Sequence, residues 1–177
     1  CGDPGSSRAP HPTVRMKLLL TGSAGRIGRA IHAAAIGQHA VAGLDRSPLS
    51  TTSLIGDIAD PQLLRRALDG VDAVIHTASL QAPHVGVCMD AEFERVNVAG
   101  VDRLARLARE AGVQRIVYTS TTAFYGAAVD GQDCQWIDES VIPQPTNVYH
   151  RSKLAAEQLL ADAANTGMVV RVVRVVR

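Results

Sequence analysis

Cysteine is too scarce and too scattered in this sequence to predict a disulfide framework or a zinc site. The 177 residues contain three cysteines, Cys1, Cys88 and Cys134, without any CxxC spacing. Long hydrophobic runs are also missing, since none approaches the roughly twenty residues that a membrane-spanning helix needs. The net charge of +1 gives no electrostatic reason to expect nucleic acid or a membrane surface as a partner. These absences favour a metal-free protein in a reducing, cytoplasmic setting.

Lysine is scarcer than cysteine, and one of the two lysines stands in an informative position. Lys153 follows Tyr149 by four residues, whereas Lys17 has no such neighbour. Residues four apart share one face of a helix, so a phenol and an ammonium would lie side by side. An ammonium lowers the pKa of a nearby phenol, which predicts a general acid/base at Tyr149. An amphipathic pair on a solvated helix is the alternative interpretation.

Apolar runs alternate with helix-spaced segments along the chain from residue 16. The runs predict strands at residues 18–21, 40–44, 54–58, 71–77, 115–120 and 168–176. Helices are predicted at 27–36, 61–68 and 91–111, and around Tyr149. The strands are apolar throughout, which indicates a parallel sheet covered on both faces. We therefore expect one doubly wound α/β domain at 16–177, after a disordered segment at 1–15 that is rich in Gly, Pro and Ser.

A glycine-rich turn joins the first predicted strand to the first predicted helix. Gly22, Gly25 and Gly28 allow a tight turn, close approach of a phosphate, and packing of the helix on the strand. Free amides and the dipole at a helix N-terminus favour a pyrophosphate at this point. The spacing is GxxGxxG rather than GxGxxG, and a tight turn without any ligand is the alternative.

Acidic residues follow the second and third predicted strands. Asp45 stands about twenty residues after the glycine turn, where a carboxylate can bind both hydroxyls of an adenosine ribose. Because this carboxylate repels a 2'-phosphate, NAD is favoured as the cofactor. Arg46 could neutralise such a phosphate, which leaves NADP open. Asp57 is a candidate acceptor for the adenine amine, or else a solvated loop acid.

Six short motifs, in order along the chain, resemble those of one protein family. They are TGSAGRIG at 21–28, GDI at 56–58, HTAS at 76–79, NVAG at 97–100, YTSTTAFYG at 118–126 and YHRSK at 149–153. They are similar to motifs of the extended short-chain dehydrogenase/reductases, and especially of the NAD-dependent sugar-nucleotide epimerase/dehydratase group. The resemblance runs from about residue 16 to the end of the chain, and it implies a Rossmann-like NAD-binding domain and a homodimer.

The resemblance also implies roles for individual residues. Tyr149 is expected to be the acid/base, Lys153 to assist it and to bind the nicotinamide ribose, and Thr121 to hydrogen-bond the reacting substrate oxygen. Asn97 is expected to help position the active-site helix and the cofactor, and the alternative for it is a helix kink or a surface amide. Together with the glycine turn and the acids described above, the resemblance implies cofactor contacts from Gly22, Gly25, Arg26, Ile27, Gly28, Asp45, Arg46, Asp57, Ile58, Ala78, Asn97, Thr119, Tyr149 and Lys153.

Two departures from the family pattern bear on the reaction. Thr122 and Ala123 stand where sugar-nucleotide 4,6-dehydratases carry Asp and Glu, which disfavours water loss. Hydride exchange at a hydroxyl of a sugar or sugar nucleotide remains, most simply a 4-epimerase-like reaction. The alternatives are a dehydrogenase or reductase of a free sugar, sugar acid or other alcohol, and a non-catalytic NAD(P)-binding module or inactive fragment.

The C-terminal run differs from the family as well. Family members continue with a smaller substrate-binding domain, which is missing here, so the sequence is expected to be a truncated product. The last residues of the chain include Arg171, Arg174 and Arg177, and burying these charges in a central strand would be costly. Arg174 resembles an arginine that the family carries at the end of this strand.

Overall fold

A computed structural model describes residues 14–128 and 137–176 of the protein. Six parallel strands form a single sheet in the order β3-β2-β1-β4-β5-β6. The strands are β1 (Lys17–Thr21), β2 (Ala40–Asp45), β3 (Leu54–Ile55), β4 (Ala73–His76), β5 (Arg115–Thr121) and β6 (Val169–Val175). The predicted doubly wound α/β fold is confirmed. The prediction of disorder at 1–15 lies outside the described residues, except at residues 14 and 15.

Helices connect the strands, and their ends follow from local chemistry. They are α1 (Arg26–Ala35), α2 (Pro61–Ala67), α3 (Asp90–Phe93), α4 (Ala99–Glu110) and α5 (Val148–Ala164). The Asp60 carboxylate caps α2 by accepting from the amides of Gln62 and Leu63. The Asn147 side chain caps α5 by accepting from the amide of His150. Of the helices in the described ranges, none combines the length and the apolar character needed to cross a bilayer.

Two predicted elements differ from the observed ones. The third strand stops at Ile55 rather than at residue 58, because Asp57 accepts from the amides of Ala59 and Asp60 and turns the chain into α2. The helix predicted at 91–111 is divided by a π-helical segment, Glu94–Val98, between α3 and α4. Wider π-helical turns are often found at functional sites, and this one carries Asn97.

The core lies between the middle of the sheet and three helices. Side chains of α2, α4 and α5 pack in one cluster against Leu19, Val74 and Ile116 of the central strands. By contrast β6 lies at an edge of the described sheet, and its Val172 and Val173 are 40% and 50% exposed. The exposed position of β6 agrees with the observation that its arginines do not suit a central buried strand. Its arginines are tolerated because edge side chains reach water or a partner.

Candidate active site

A cleft of about 930 Å³ opens along the carboxyl ends of β1, β2 and β4. The strand order reverses between β1 and β4, and ligands of open α/β sheets bind at such a switch point. Ten of the predicted cofactor residues line this cleft: Gly22, Gly25, Arg26, Ile27, Gly28, Asp45, Arg46, Asp57, Ile58 and Ala78. The tertiary structure thus brings together residues from four separate motifs.

The glycine turn leaves room at the start of α1 that side chains would fill. Gly22 has φ +73°, and a Cβ on it would lie 2.5 Å from the backbone nitrogen of Ala78. A Cβ on Gly28 would overlap the carbonyl oxygen of Gly22. Among the described residues no side chain caps α1 at Gly25, so the first amides of the helix stay open to a ligand. The turn can therefore receive a phosphate group.

Asp45 ends β2 and is held in place by backbone amides. One carboxylate oxygen accepts from the amide of Ala24, in the glycine turn, at 3.0 Å, and the other accepts from the amide of Ser47 at 3.0 Å. These bonds hold the carboxylate at the edge of the cleft, next to the turn. Arg46 lines the same cleft and adds a positive charge beside the acid.

Asp57 lies farther along the cleft and carries an ion pair that the sequence interpretation missed. Its carboxylate accepts from the amide of Ala59 at 2.8 Å and from both terminal nitrogens of Arg95 at 3.2 Å. Burial raises the pKa of Asp57, but these bonds outweigh it and leave the pKa below its usual value. Arg95 also bonds Glu92 three residues earlier, and this (i, i+3) spacing was visible in the sequence, whereas the pairing with Asp57, 38 positions away, was not.

A second pocket of about 170 Å³ adjoins the cleft, and Ile27 and Thr77 line both spaces. The three predicted catalytic residues, Thr121, Tyr149 and Lys153, line this pocket together with Thr119. They come from the end of β5 and the first turns of α5, which the parallel arrangement brings to the same edge of the sheet. The predicted catalytic residues are therefore adjacent to the predicted cofactor cleft.

Lys153 is the most unusual group in this pocket, because it is a lysine with only 2% of its surface exposed. Its Nζ donates to the carbonyl oxygen of Thr119 at 2.6 Å and lies 4.2 Å from the ring centroid of Tyr118. Burial lowers the pKa of Lys153 to about 7, although Glu157 acts in the opposite direction. The side-chain nitrogen of Lys153 is therefore an ammonium below about pH 7 and a neutral amine above it.

Tyr149 and Thr121 are positioned by bonds to the backbone around them. Tyr149 is half-buried in the first turn of α5, and its carbonyl accepts from the Ser152 hydroxyl at 2.9 Å. Thr121 is buried, and its hydroxyl oxygen accepts from the amide of Ala123 at 3.1 Å. That bond leaves the Thr121 hydroxyl free to donate.

Asn97 lines neither the cleft nor the adjoining pocket, in contrast to the other residues predicted to contact a cofactor. Its buried side chain accepts from the amide of Leu80 at 2.8 Å, and it donates to the Leu80 carbonyl at 2.9 Å and to the Ser152 hydroxyl at 3.0 Å. These bonds tie the segment after β4, which lines the cleft, to the helix that carries Tyr149 and Lys153. Asn97 therefore holds the cleft segment and the catalytic helix together without lining the cleft itself.

Comparison with known proteins relates this arrangement to a family. The family model described as "NAD dependent epimerase/dehydratase family" matches residues 18–176. The chain belongs to this family. A 4-hydroxy-2-methyl-3-oxo-4-farnesyl-3,4-dihydroquinoline-1-oxide ketoreductase of Stigmatella aurantiaca is 31% identical over 170 residues, which cover 90% of this chain and 49% of the relative. A UDP-glucose 4-epimerase of Streptomyces lividans is 31% identical over 160 residues, which cover 84% of this chain and 47% of the relative.

Solved structures agree with this assignment to the epimerase/dehydratase family. A short-chain dehydrogenase/reductase superfamily protein from Agrobacterium tumefaciens, solved with bound NAD, has a TM-score of 0.79 and 30% identity, covering 89% of this chain and 48% of that one. The chain spans about half the length of the curated relatives it matches. The family resemblance predicted from the six motifs is confirmed.

Two titratable side chains near Lys153, those of Glu157 and His76, were not predicted from the sequence. Glu157 follows Lys153 by four residues, a spacing that was visible, and it pairs with Arg174 of β6. His76 is buried, with its Nδ1 2.6 Å from the Thr21 hydroxyl and its ring stacked on Tyr118. Burial, followed by the charge of Lys153, lowers the pKa of His76 to about 3, so this histidine stays neutral.

Proposed function

We propose that this chain is the cofactor-binding and catalytic part of an NAD-dependent oxidoreductase or epimerase. It would exchange a hydride at a hydroxyl-bearing carbon of a sugar or sugar nucleotide, in a 4-epimerase-like reaction. The observation that carries the proposal is the position of the pocket with Thr121, Tyr149 and Lys153 directly beside a cleft with a glycine turn and a ribose acid.

The residues of the cleft fit NAD. The open amides at the start of α1 suit a pyrophosphate, and the close approach permitted by Gly22 and Gly28 leaves no side chain in the way. Asp45 offers a fixed carboxylate to ribose hydroxyls, and the same charge disfavours a 2'-phosphate. When bound, NAD supplies the acceptor and donor of the hydride. NADP stays possible because Arg46 also lines the cleft.

The chemistry of the pocket follows from its three residues. The phenol oxygen of Tyr149 takes the proton of the substrate hydroxyl while the carbon that bears this hydroxyl loses hydride. Tyr149 returns the proton in the reverse step. The Lys153 ammonium stabilises the tyrosinate by its charge. The Thr121 hydroxyl donates to the reacting substrate oxygen and orients it. In an epimerisation, hydride would return to the opposite face of the carbonyl and so invert the carbon.

A second candidate is a dehydrogenase or reductase of another alcohol. The ketoreductase relative is 31% identical, and a 3 beta-hydroxysteroid dehydrogenase/Delta 5-->4-isomerase of Mycobacterium tuberculosis is 30% identical over 172 residues. The same three residues serve this reaction, which ends at the ketone or alcohol. Thr122 and Ala123, in place of the acids of a dehydratase, are compatible with both candidates. A cytoplasmic homodimer stays a prediction.

Cofactor binding and catalysis are tested separately. Isothermal titration of the 177-residue chain with NAD should show one site, with NADP binding more weakly, and Tyr149→Phe should bind NAD as the unaltered chain does. Turnover is then assayed with UDP-sugars, aldoses and hydroxysteroids, using this chain and any longer form encoded by the same gene. Absence of NAD binding would refute the cofactor assignment, and full turnover by Tyr149→Phe would refute the acid/base role.

A further inference from the structure

Glu157 is a buried acid one helical turn after the buried lysine. It lies on α5, four residues beyond Lys153, and its side chain is 8% exposed. The carboxylate is held by two donors of Arg174, with Nη2 at 2.7 Å and Nε at 3.2 Å. An acid this deeply buried needs such partners, because an unpaired buried charge is very costly.

Arg174 is itself fixed from other directions. Its Nη1 donates to the phenol oxygen of Tyr125 at 2.6 Å, and its guanidinium lies 5.1 Å from the ring centroid of Phe124 and 5.6 Å from that of Tyr125. Both rings belong to the segment just after Thr121. The arginine therefore holds the Glu157 carboxylate in one place beside α5, β6 and the end of β5.

Fold stability alone does not account for this pair. Replacing a buried ion pair by apolar side chains is often neutral or stabilising. The reason is that the cost of removing two charges from water roughly cancels the attraction between them. Lys153, in contrast, has a direct need for a nearby negative charge, since its ammonium is removed from water. Among the residues that the structure describes, the titratable or charged groups around Lys153 are Tyr149, His150 and Glu157 on α5, Tyr118 on β5 and His76 on β4, with Arg174 of β6 on the far side of Glu157. Glu157 is the one carboxylate in this set.

We propose that Glu157, held in place by Arg174, is a positioning residue for Lys153 that keeps the buried ammonium charged. The inference rests on the proposed function, because a charged Lys153 is what supports the tyrosinate at Tyr149. It assigns Glu157 a role through another residue and without contact to a substrate or cofactor. The sequence signal for it is the (i, i+4, i+8) series of Tyr149, Lys153 and Glu157.

The test is a direct titration of Lys153, which is practical because the chain has two lysines. In a chain labelled with 13C-lysine, the ε-methylene signals of Lys17 and Lys153 are followed by NMR against pH, and Lys17→Arg assigns them. Glu157→Gln should lower the pKa of Lys153 by roughly one unit or more, because an opposite charge is removed. Arg174→Lys should lower it less, because a cation still faces the carboxylate and keeps it charged.

The controls separate charge from structure. Glu110→Gln removes a carboxylate from the exposed pair with Arg106 and should leave the Lys153 titration unchanged. An unchanged pKa in Glu157→Gln, or equal falls in Glu157→Gln and Arg174→Lys, would overturn the proposal. So would loss of folding in both variants, which would make the pair a requirement of the sheet. The titration uses neither NAD nor substrate, so a failure of the proposed function gives a different result.

Discussion

Lys153→Met is expected to stabilise the fold near neutral pH although it removes a residue of the proposed active site. The pKa of Lys153 is lowered from 10.5 to about 7 by burial. A base whose pKa is depressed in the folded state destabilises the fold below its unfolded pKa, and this penalty grows as the pH falls until the folded pKa is reached. Between pH 10.5 and 7 the unfolded chain therefore holds a proton that the folded chain releases.

The size of the effect follows from the two pKa values. A difference of one pH unit is about 1.4 kcal/mol, so burial of Lys153 destabilises the fold by about 4 kcal/mol at pH 7 and by under about 1 kcal/mol at pH 10. Methionine is of similar length and carries no charge. The Lys153→Met variant lacks the hydrogen bond from Lys153 to the Thr119 carbonyl, which contributes roughly 1.5–3 kcal/mol to stability. We expect a net gain of about 2 kcal/mol at pH 7 and a net loss at pH 10.

Urea unfolding at the two pH values measures this change of sign. The free energy of unfolding of Lys153→Met is compared with that of the unaltered chain at pH 7.0 and pH 10.0. Lys17→Met is the matched control, since Lys17 is exposed and is the other lysine of the chain. It should give the same small difference at both pH values. If Lys153→Met is less stable by equal amounts at pH 7.0 and pH 10.0, the argument from burial is wrong.

Three further predictions concern the buried histidine and the cofactor cleft. The pKa of His76 is about 3 instead of 6.5, so its burial should remove about 2 kcal/mol of stability as the pH falls from 7.5 to 5. Urea unfolding of His76→Gln should lack this loss, and an equal loss would contradict the prediction. Gly28→Ala should weaken NAD binding at least tenfold by calorimetry because its Cβ overlaps Gly22, while Gly37→Ala, with open space around it, should not. Asp45→Asn should weaken NAD binding about tenfold and reduce the preference over NADP, and an unchanged ratio of the two Kd values would refute its role at the ribose.

Much of the site was predictable because its residues carry local patterns. The glycines of the first turn stand between an apolar strand and a helix, and Asp45 follows the next strand at a spacing set by the fold. Tyr149 and Lys153 share a helix face by their separation alone. Such patterns depend on backbone geometry over a few residues, so a sequence displays them directly.

The less predictable parts depend on contacts between distant residues. Arg174 reaches Glu157 across 17 positions and Tyr125 across 49, and no local pattern joins them. The partners of Asn97, which are Leu80 and Ser152, are also 17 and 55 positions away from it along the chain. The position of β6 at the sheet edge likewise follows from strand order rather than from its apolar composition.

The amino-acid sequence alone determined the class of fold, the family and the chemical identity of the predicted catalytic residues. It did so because strand periodicity, glycine turns and helix spacing are local properties. Only the tertiary structure decided that Lys153 is buried, that its pKa is lowered to about 7, and that Glu157 is its acidic neighbour. The protonation of a buried group depends on how completely water is removed and on which charges remain nearby, and both are set by packing of the whole chain.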